Sequence, residues 1–281
     1  MKNLTRCFSL DVAGRVGVLQ ARYYGRAFSP HWHEEYAIGL ITGGVEQFEY
    51  RGATHRAGIG EIILMDAGEV HTGESWDERG FAFRMLYIPE STFREAAAET
   101  WTVSGTLSFR DTVISDDSLR KALSNLHGIL DSRISALERE ALFLNAAAKI
   151  LERAGSWKNS VADIPAPLAV QRARDYLLDH LFADISLDLL ASVSGLSKFH
   201  LLRQFRAEFG LPPHSYQLQH RIIRAKTLLR SLAPVEVAMT CGFADQSHFH
   251  RVFRSLVGTT PGCYAEQFRS RRSISTPILS M

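Results

Sequence analysis

One stretch constrains the fold of this 281-residue chain more than any other. It is Gly242-Phe243-Ala244-Asp245-Gln246-Ser247-His248-Phe249-His250-Arg251-Val252-Phe253-Arg254, closed by Gly258-Thr259-Thr260-Pro261 and Tyr264. Gly242 suits a tight turn, because glycine accepts positive φ without a Cβ clash. The Asp245–Ser247 region supplies short polar side chains that cap the free N–H groups of a starting helix. Phe249 and Phe253 are four apart and share the inner face. Gln246, Ser247, His250, Arg251 and Arg254 then form an outer face of the kind that base edges and phosphates pair with.

The pattern occurs twice. Adding 48 carries Leu201 to Phe249, Arg203 to Arg251, Phe205 to Phe253, Arg206 to Arg254, Gly210 to Gly258, Pro213 to Pro261 and Tyr216 to Tyr264. Upstream the offset is 47, carrying Ala191 to Ala238 and Gly195 to Gly242, so the second turn holds one extra residue. Two copies are too few for a solenoid and predict a duplicated helix-turn-helix. The segment His214–Ser231 has apolar residues at helical spacing and reads as the connecting helix.

This region resembles the DNA-binding domain of AraC/XylS-type transcription regulators. The match rests on Ala238-x3-Gly242-Phe243, on Phe249-x-Arg251-x-Phe253-Arg254 and on Gly258-x2-Pro261-x2-Tyr264, and covers about the last 110 residues. The resemblance implies Phe199, Leu202 and Arg203 as base-reading positions in the first motif. In the second, Gln246, Ser247, His250 and Arg251 are the candidates, with Gln suited to adenine and Arg to guanine. Lys198, Arg206 and Arg254 suit phosphate, which positions a protein without specifying sequence. Double-stranded promoter DNA is the implied partner. The resemblance further implies an activator, a homodimer and, for an activator, contact with RNA polymerase.

Charge distribution agrees with a polyanion partner. Residues 166–281 carry 14 Lys/Arg against 8 Asp/Glu, whereas residues 1–165 carry 18 against 22. A hydrophobic fraction of 46% over this length supports two buried cores. No apolar run is long enough to span a bilayer, and the first residues lack a signal-peptide core. The three cysteines, Cys7, Cys241 and Cys263, have no metal-like spacing, so a reduced, cytoplasmic chain is expected.

The N-terminal half has a different texture. From about residue 8 to 90, short runs of β-formers alternate with glycine turns, predicting a sandwich or barrel. His31-x-His33, followed by Gly43-Gly44, and Gly60-x5-Asp66-x-Gly68-x2-His71 resemble the two motifs of the cupin barrel, a sensor domain of the same regulator family. Asp66 stands where proline is usual, and Ala37 and Ile38 stand where the glutamate ligand is expected. His31, His33 and His71 therefore read as lining an effector pocket, with no metal and no other cofactor expected. Tyr36, Phe83 and Arg84 join them as candidate small-molecule contacts, and strand parity leaves open which face of Phe81–Ile88 lines the pocket. No catalytic residues are assigned. The alternative is a metal-dependent cupin enzyme fused to a DNA-binding module.

Between Asp116 and Arg153, two amphipathic helices are expected, which the resemblance links to self-association. The expected fold class is α+β multidomain: a cupin-like β-barrel with flanking helices over 1–154, a linker over 155–167, an all-α domain with two helix-turn-helix motifs over 168–272, and a flexible tail over 273–281.

Overall fold

A computed structural model describes residues 3–10, 12, 16–98, 105–128, 136–158 and 167–269. The chain divides into two compact units, residues 1–168 and 169–281. The expected flexible tail, 273–281, lies outside the described residues.

The first unit is built on one long strand, β4 (Tyr36–Tyr50), which serves two groups of strands. Its first part pairs with β8 (Phe81–Ile88) and β6 (Ile62–Met65), and its second part with β5 (Ala53–Gly58) and β7 (His71–Ser75). The change of partner falls at Gly43-Gly44, next to an irregularity in the β4–β8 register. Gly44 has φ 67°, and a Cβ there would sit 1.9 Å from the Gly80 carbonyl oxygen, so only glycine lets the strand bend at this point. Strands β1 (Leu4–Leu10) and β2 (Val16–Tyr23) extend the sheet beyond β8, and β3 (Arg26–His31) pairs with β7.

Alternation along these strands separates two cores. The interior, between the two groups of strands, holds Leu19, Ala21, Tyr23, Phe28, Phe48, Tyr50, Ile63, Met65, Phe81, Phe83 and Met85. The opposite face holds Val18, Tyr36, Ile38, Leu40, Leu64, Leu86 and Ile88, against α1 (Glu90–Ala98), α2 (Asp117–Gly128) and α3 (Ala136–Ala154). Two further short strands follow α1, β9 (Thr106–Phe109) and β10 (Val113–Ile114).

The expected linker begins differently. Gly155–Lys158 forms β11, antiparallel to β9, and Trp157 packs on the helical core with the Arg94 guanidinium over its ring. A half-buried tryptophan packed on that core outweighs the local glycine and serine that suggested a loop. The rest of the expected linker, up to 166, lies outside the described residues.

The second unit is all helix: α4 (Leu168–Asp179), α5 (Leu187–Ser194), α6 (Lys198–Phe209), α7 (Pro213–Leu228), α8 (Pro234–Thr240), α9 (Gln246–Val257) and α10 (Pro261–Arg269). Ser186, Ser197 and Asp245 cap α5, α6 and α9 through side-chain oxygens that accept the N–H of Leu189, His200 and His248. The extra residue of the second motif lies between the left-handed turn glycine and the cap. Gly195 is followed by one residue before Ser197, whereas Gly242 is followed by two before Asp245.

Each motif has its own small core, one around Leu190, Leu201 and Phe205 and one around Phe243, Phe249 and Phe253. Helix α7 contributes Tyr216 to the first, and Leu218, Ile222 and Ala225 to the second. Between them on α7, Arg221 is buried. Its Nε donates to the Leu181 carbonyl at 2.8 Å, Nη1 to Gly242 at 2.6 Å and Nη2 to Ala183 at 2.8 Å. Gln217 Nε2 also donates to the Leu181 and Ala183 carbonyls, at 3.0 Å each. Burial lowers the Arg221 pKa, and nearby Asp184 opposes the shift.

Removing this fork should strip three carbonyls of a charged donor. Arg221→Ala is expected to cost about 3 kcal/mol or more in the C-terminal unfolding transition in urea. Arg221→Lys should recover only part of that, since one ammonium lacks the planar fork. Losses below about 0.5 kcal/mol for both variants would show that packing alone orients the motifs.

Candidate functional sites

The first site is assembled by strand pairing. In the β3–β7 ladder, His31 lies directly opposite His71. His33 follows on the short connection into β4, where its carbonyl accepts the Gly68 N–H at 2.7 Å and ties this connection to the one preceding β7. The three rings converge, with centroids 4.4 Å apart for His31–His71, 4.8 Å for His31–His33 and 5.0 Å for His33–His71. Their possible donor nitrogens all lie within 4.8 Å of one another. Tyr87 closes one side, its ring 4.7 Å from that of His33.

The site is largely buried. His31 and His71 are buried and His33 is half-buried. Burial pushes His71 down to about 4, partly opposed by its bond to the Glu69 carbonyl. Burial also holds the Tyr87 phenol well above its usual value. At neutral pH, His71 is thus a neutral imidazole with one donor and one acceptor nitrogen.

Glu46 was not singled out from the sequence, yet it is among the most perturbed groups in this unit. It is buried on the interior face of β4, and burial pushes its carboxyl up to about 8. Among the described residues its Oε2 has no hydrogen-bond partner, and its Oε1 lies over Gly73, where a Cβ would come within 2.9 Å. Gly73 is two residues from His71 and thus on the same face of β7. The one available signal was its parity with Phe48 and Tyr50.

Phe83 lies in the interior core, on the histidines' side of β8. Tyr36 and Arg84 do not, and the expectation for both is corrected. Tyr36 packs edge-on against Phe93 and Phe109 in the helical core, and its hydroxyl donates to the Leu107 carbonyl at 2.7 Å. Arg84 has the parity of Leu86 and pairs with Leu40, both in the helical core, and its charge adds to the burial that lowers the His127 imidazole on α2. Parity alone left the two faces equivalent.

Asp66, the departure from the proline of the motif, is structural. Buried Asp66 pairs with the partly exposed Arg51 guanidinium, its Oδ1 accepts the Phe109 N–H at 2.8 Å, and its own N–H donates to the Tyr50 hydroxyl at 3.0 Å. Proline could not supply that N–H.

The second site is the outer face of the duplicated motif. On α6, Lys198, Leu202, Arg203 and Arg206 are exposed, while Leu201 and Phe205 are buried. The side chain of Phe199 lies outside the described residues. Lys198 pairs with Asp188 at 2.5 Å. On α9, Gln246, Ser247, His250, Arg251 and Arg254 are all exposed above buried Phe249 and Phe253. The α9 strip is polar and basic throughout, whereas exposed Leu202 interrupts the basic residues of α6.

A sheet-rich unit with a polar interior site, followed by paired helix-turn-helix motifs, defines a ligand-responsive regulator that acts on DNA. Known proteins bear this out. Residues 16–147 match the AraC-like ligand binding domain, and residues 190–267 match a helix-turn-helix domain. The chain is 30% identical over 251 residues to the HTH-type transcriptional regulator YbfI of Bacillus subtilis, covering 88% of this chain and 90% of that protein. It is 30% identical over 232 residues to the arabinose operon regulatory protein of Salmonella typhimurium, covering 79% and 78%. A crystal structure of an apo, singly substituted ToxT from Vibrio cholerae shares the fold at TM-score 0.50, with 13% identity over 95% of this chain and 98% of that one. The chain belongs to the AraC/XylS family of transcriptional regulators. No helix among the described residues is long and apolar enough to cross a membrane.

The state of Glu46 sets a pH dependence. Its folded pKa of about 8 lies above the ordinary 4.5, so the stability it leaves intact at acid pH is lost as pH rises from 4.5 through 8. Glu46→Gln removes that loss. Its advantage over the wild type in the N-terminal unfolding transition should grow from near zero at pH 5 to roughly 3–5 kcal/mol at pH 8. A difference that does not change with pH would place the carboxyl in contact with water.

Proposed function

We propose that the chain controls transcription by gripping two successive major-groove segments of promoter DNA, under the control of a small polar molecule held by the N-terminal barrel. The observation that carries the DNA half is the equivalence of Arg203 and Arg251, exposed at matching positions of the two repeats. Each guanidinium can pair with guanine O6 and N7. Gln246, Ser247 and His250 read neighbouring base edges, while Leu202 and Phe199 supply apolar contact to thymine methyls. Lys198, Arg206 and Arg254 hold phosphates. The pair with Asp188 favours a fixed position for the Lys198 ammonium beside the groove.

His31, His33, His71 and Phe83 contact the effector. Support comes from the convergence of the three rings and from burial that leaves His71 neutral, able to donate and accept. Residues 1–154 act as the sensor and residues 168–272 as the DNA-binding domain. The sensor acts as a binding switch rather than an enzyme, and its leverage is bounded by the effector's differential affinity for the two states of the protein. In this reading the chain is a cytoplasmic homodimeric activator that meets RNA polymerase at the promoter, with the packed α2–α3 pair as the self-association element.

Arg203→Ala and Arg251→Ala should each weaken binding to the correct site by about 1–3 kcal/mol and relax preference at one base pair, measured by fluorescence anisotropy against single-substituted duplexes. Equal weakening on specific and random DNA would assign both side chains to phosphate instead.

A further inference from the structure

We propose that Arg22, Arg84 and Gln20, backed by His127, form a binding site for one oxyanion group of a small molecule, a carboxylate or a phosphate ester. The site lies on the helix-bearing face of the sensor sheet, opposite the interior with its three histidines. It is therefore a second ligand site of this unit.

Strand register brings the groups together. Across β1, β2, β8 and β4, Arg6, Gln20, Arg84 and Leu40 stand side by side, and Leu4, Arg22, Ala82 and Gly43 form the next row on the same face. Neither row contains a carboxylate. Arg22 and Arg84 are diagonal neighbours, roughly 7–8 Å apart at their bases, so two long side chains can meet over one ligand. Arg22 extends across Ala82 to Gly43, where a Cβ would stand 2.9 Å from its Nη2 and 3.5 Å from the Ala82 Cβ. The missing side chain at position 43 leaves the guanidinium its place on the sheet. Arg22 and Arg84 are half-buried, and among the described residues neither guanidinium has a hydrogen-bond or ion-pair partner. The Gln20 amide, opposite Arg84 and two residues from Arg22, adds a neutral donor.

His127 is the independent sign of a ligand. It ends the stripe of Leu119, Leu123 and Leu126 that turns α2 toward the sheet, and it is only 3% exposed. Neither of its ring nitrogens has a hydrogen-bond partner among the described residues. An imidazole in that state has lost its bonds to water without replacing them. Burial, reinforced by the charge of Arg84, lowers this ring to about 3. At neutral pH it is therefore uncharged and keeps one N–H to donate. A bound oxyanion answers both deficits, since it accepts from the ring and offsets two half-buried like charges. Carboxylate and phosphate oxygens also match the planar guanidinium fork, which a single chloride does not.

The test uses the full-length chain in Tris chloride without DNA. Inorganic phosphate or succinate is titrated in while sodium chloride is adjusted to hold ionic strength constant. Calorimetry is expected to show saturation at one anion per chain, with a rise in the melting temperature of the N-terminal transition. Tighter binding of phosphate would assign a phosphate ester, and tighter binding of succinate a carboxylate. Arg22→Gln and Arg84→Gln should each weaken binding by at least about tenfold. Both should melt at or above the wild-type temperature in chloride alone, because each removes an unpaired charge. Arg84→Lys keeps the charge and the stem, so it should fold like the wild type and bind several-fold more weakly for want of the fork. Arg56→Gln, at an exposed arginine stacked on Trp76, should bind like the wild type. Absence of saturable binding of both anions by the wild type would overturn the proposal, as would unchanged binding by Arg22→Gln and Arg84→Gln. An equal loss in Arg56→Gln would overturn it too, by reducing the effect to net charge.

Discussion

The DNA-binding unit depends on how one guanidinium is satisfied. Among the described residues buried Arg221 has no hydrogen-bonded carboxylate and is stabilised by three backbone carbonyls, two in the turn after α4 and one at Gly242. A buried charge left unpaired is far costlier than a broken neutral contact. The two turns must therefore stay where the fork can reach both. Gly242 makes that possible, since a Cβ there would stand 2.4 Å from the Phe182 carbonyl oxygen. The two backbones meet directly, and α7 lends one end to each core.

Much of this unit was legible because its constraints are local. A capping side chain, a left-handed glycine and phenylalanines four apart all act within a dozen residues, and the two copies agree. Arg221 was not legible as a staple. In the sequence it is one arginine among apolar helix residues, and its partners lie 40, 38 and 21 positions away. Trp157 was missed for a related reason, because its core is built by strands and helices from elsewhere in the chain.

The sensor unit was harder to read. Its strands and the two histidine motifs could be located, but period-two alternation gives two faces without saying which is inside. Phe83 and Arg84 were therefore equal candidates until pairing with Leu40 fixed the parity. Glu46 was hidden as an ordinary charged residue on a long strand. Only the bend at Gly43-Gly44 turns the second part of β4 over the interior and makes that carboxyl a buried acid over Gly73. One strand thus gives both groups of strands their partners and carries the most perturbed carboxyl in the unit.

The staple between the two helix-turn-helix motifs has a further consequence on the nucleic-acid side. If two recognition elements cannot shift relative to each other, any mismatch with the pitch of the duplex must be taken up by the DNA. Base steps between the contacted segments then have to bend or change twist, at a cost that differs between flexible pyrimidine–purine steps and stiff A-tracts. The uncontacted centre of the operator would contribute to recognition through its elasticity.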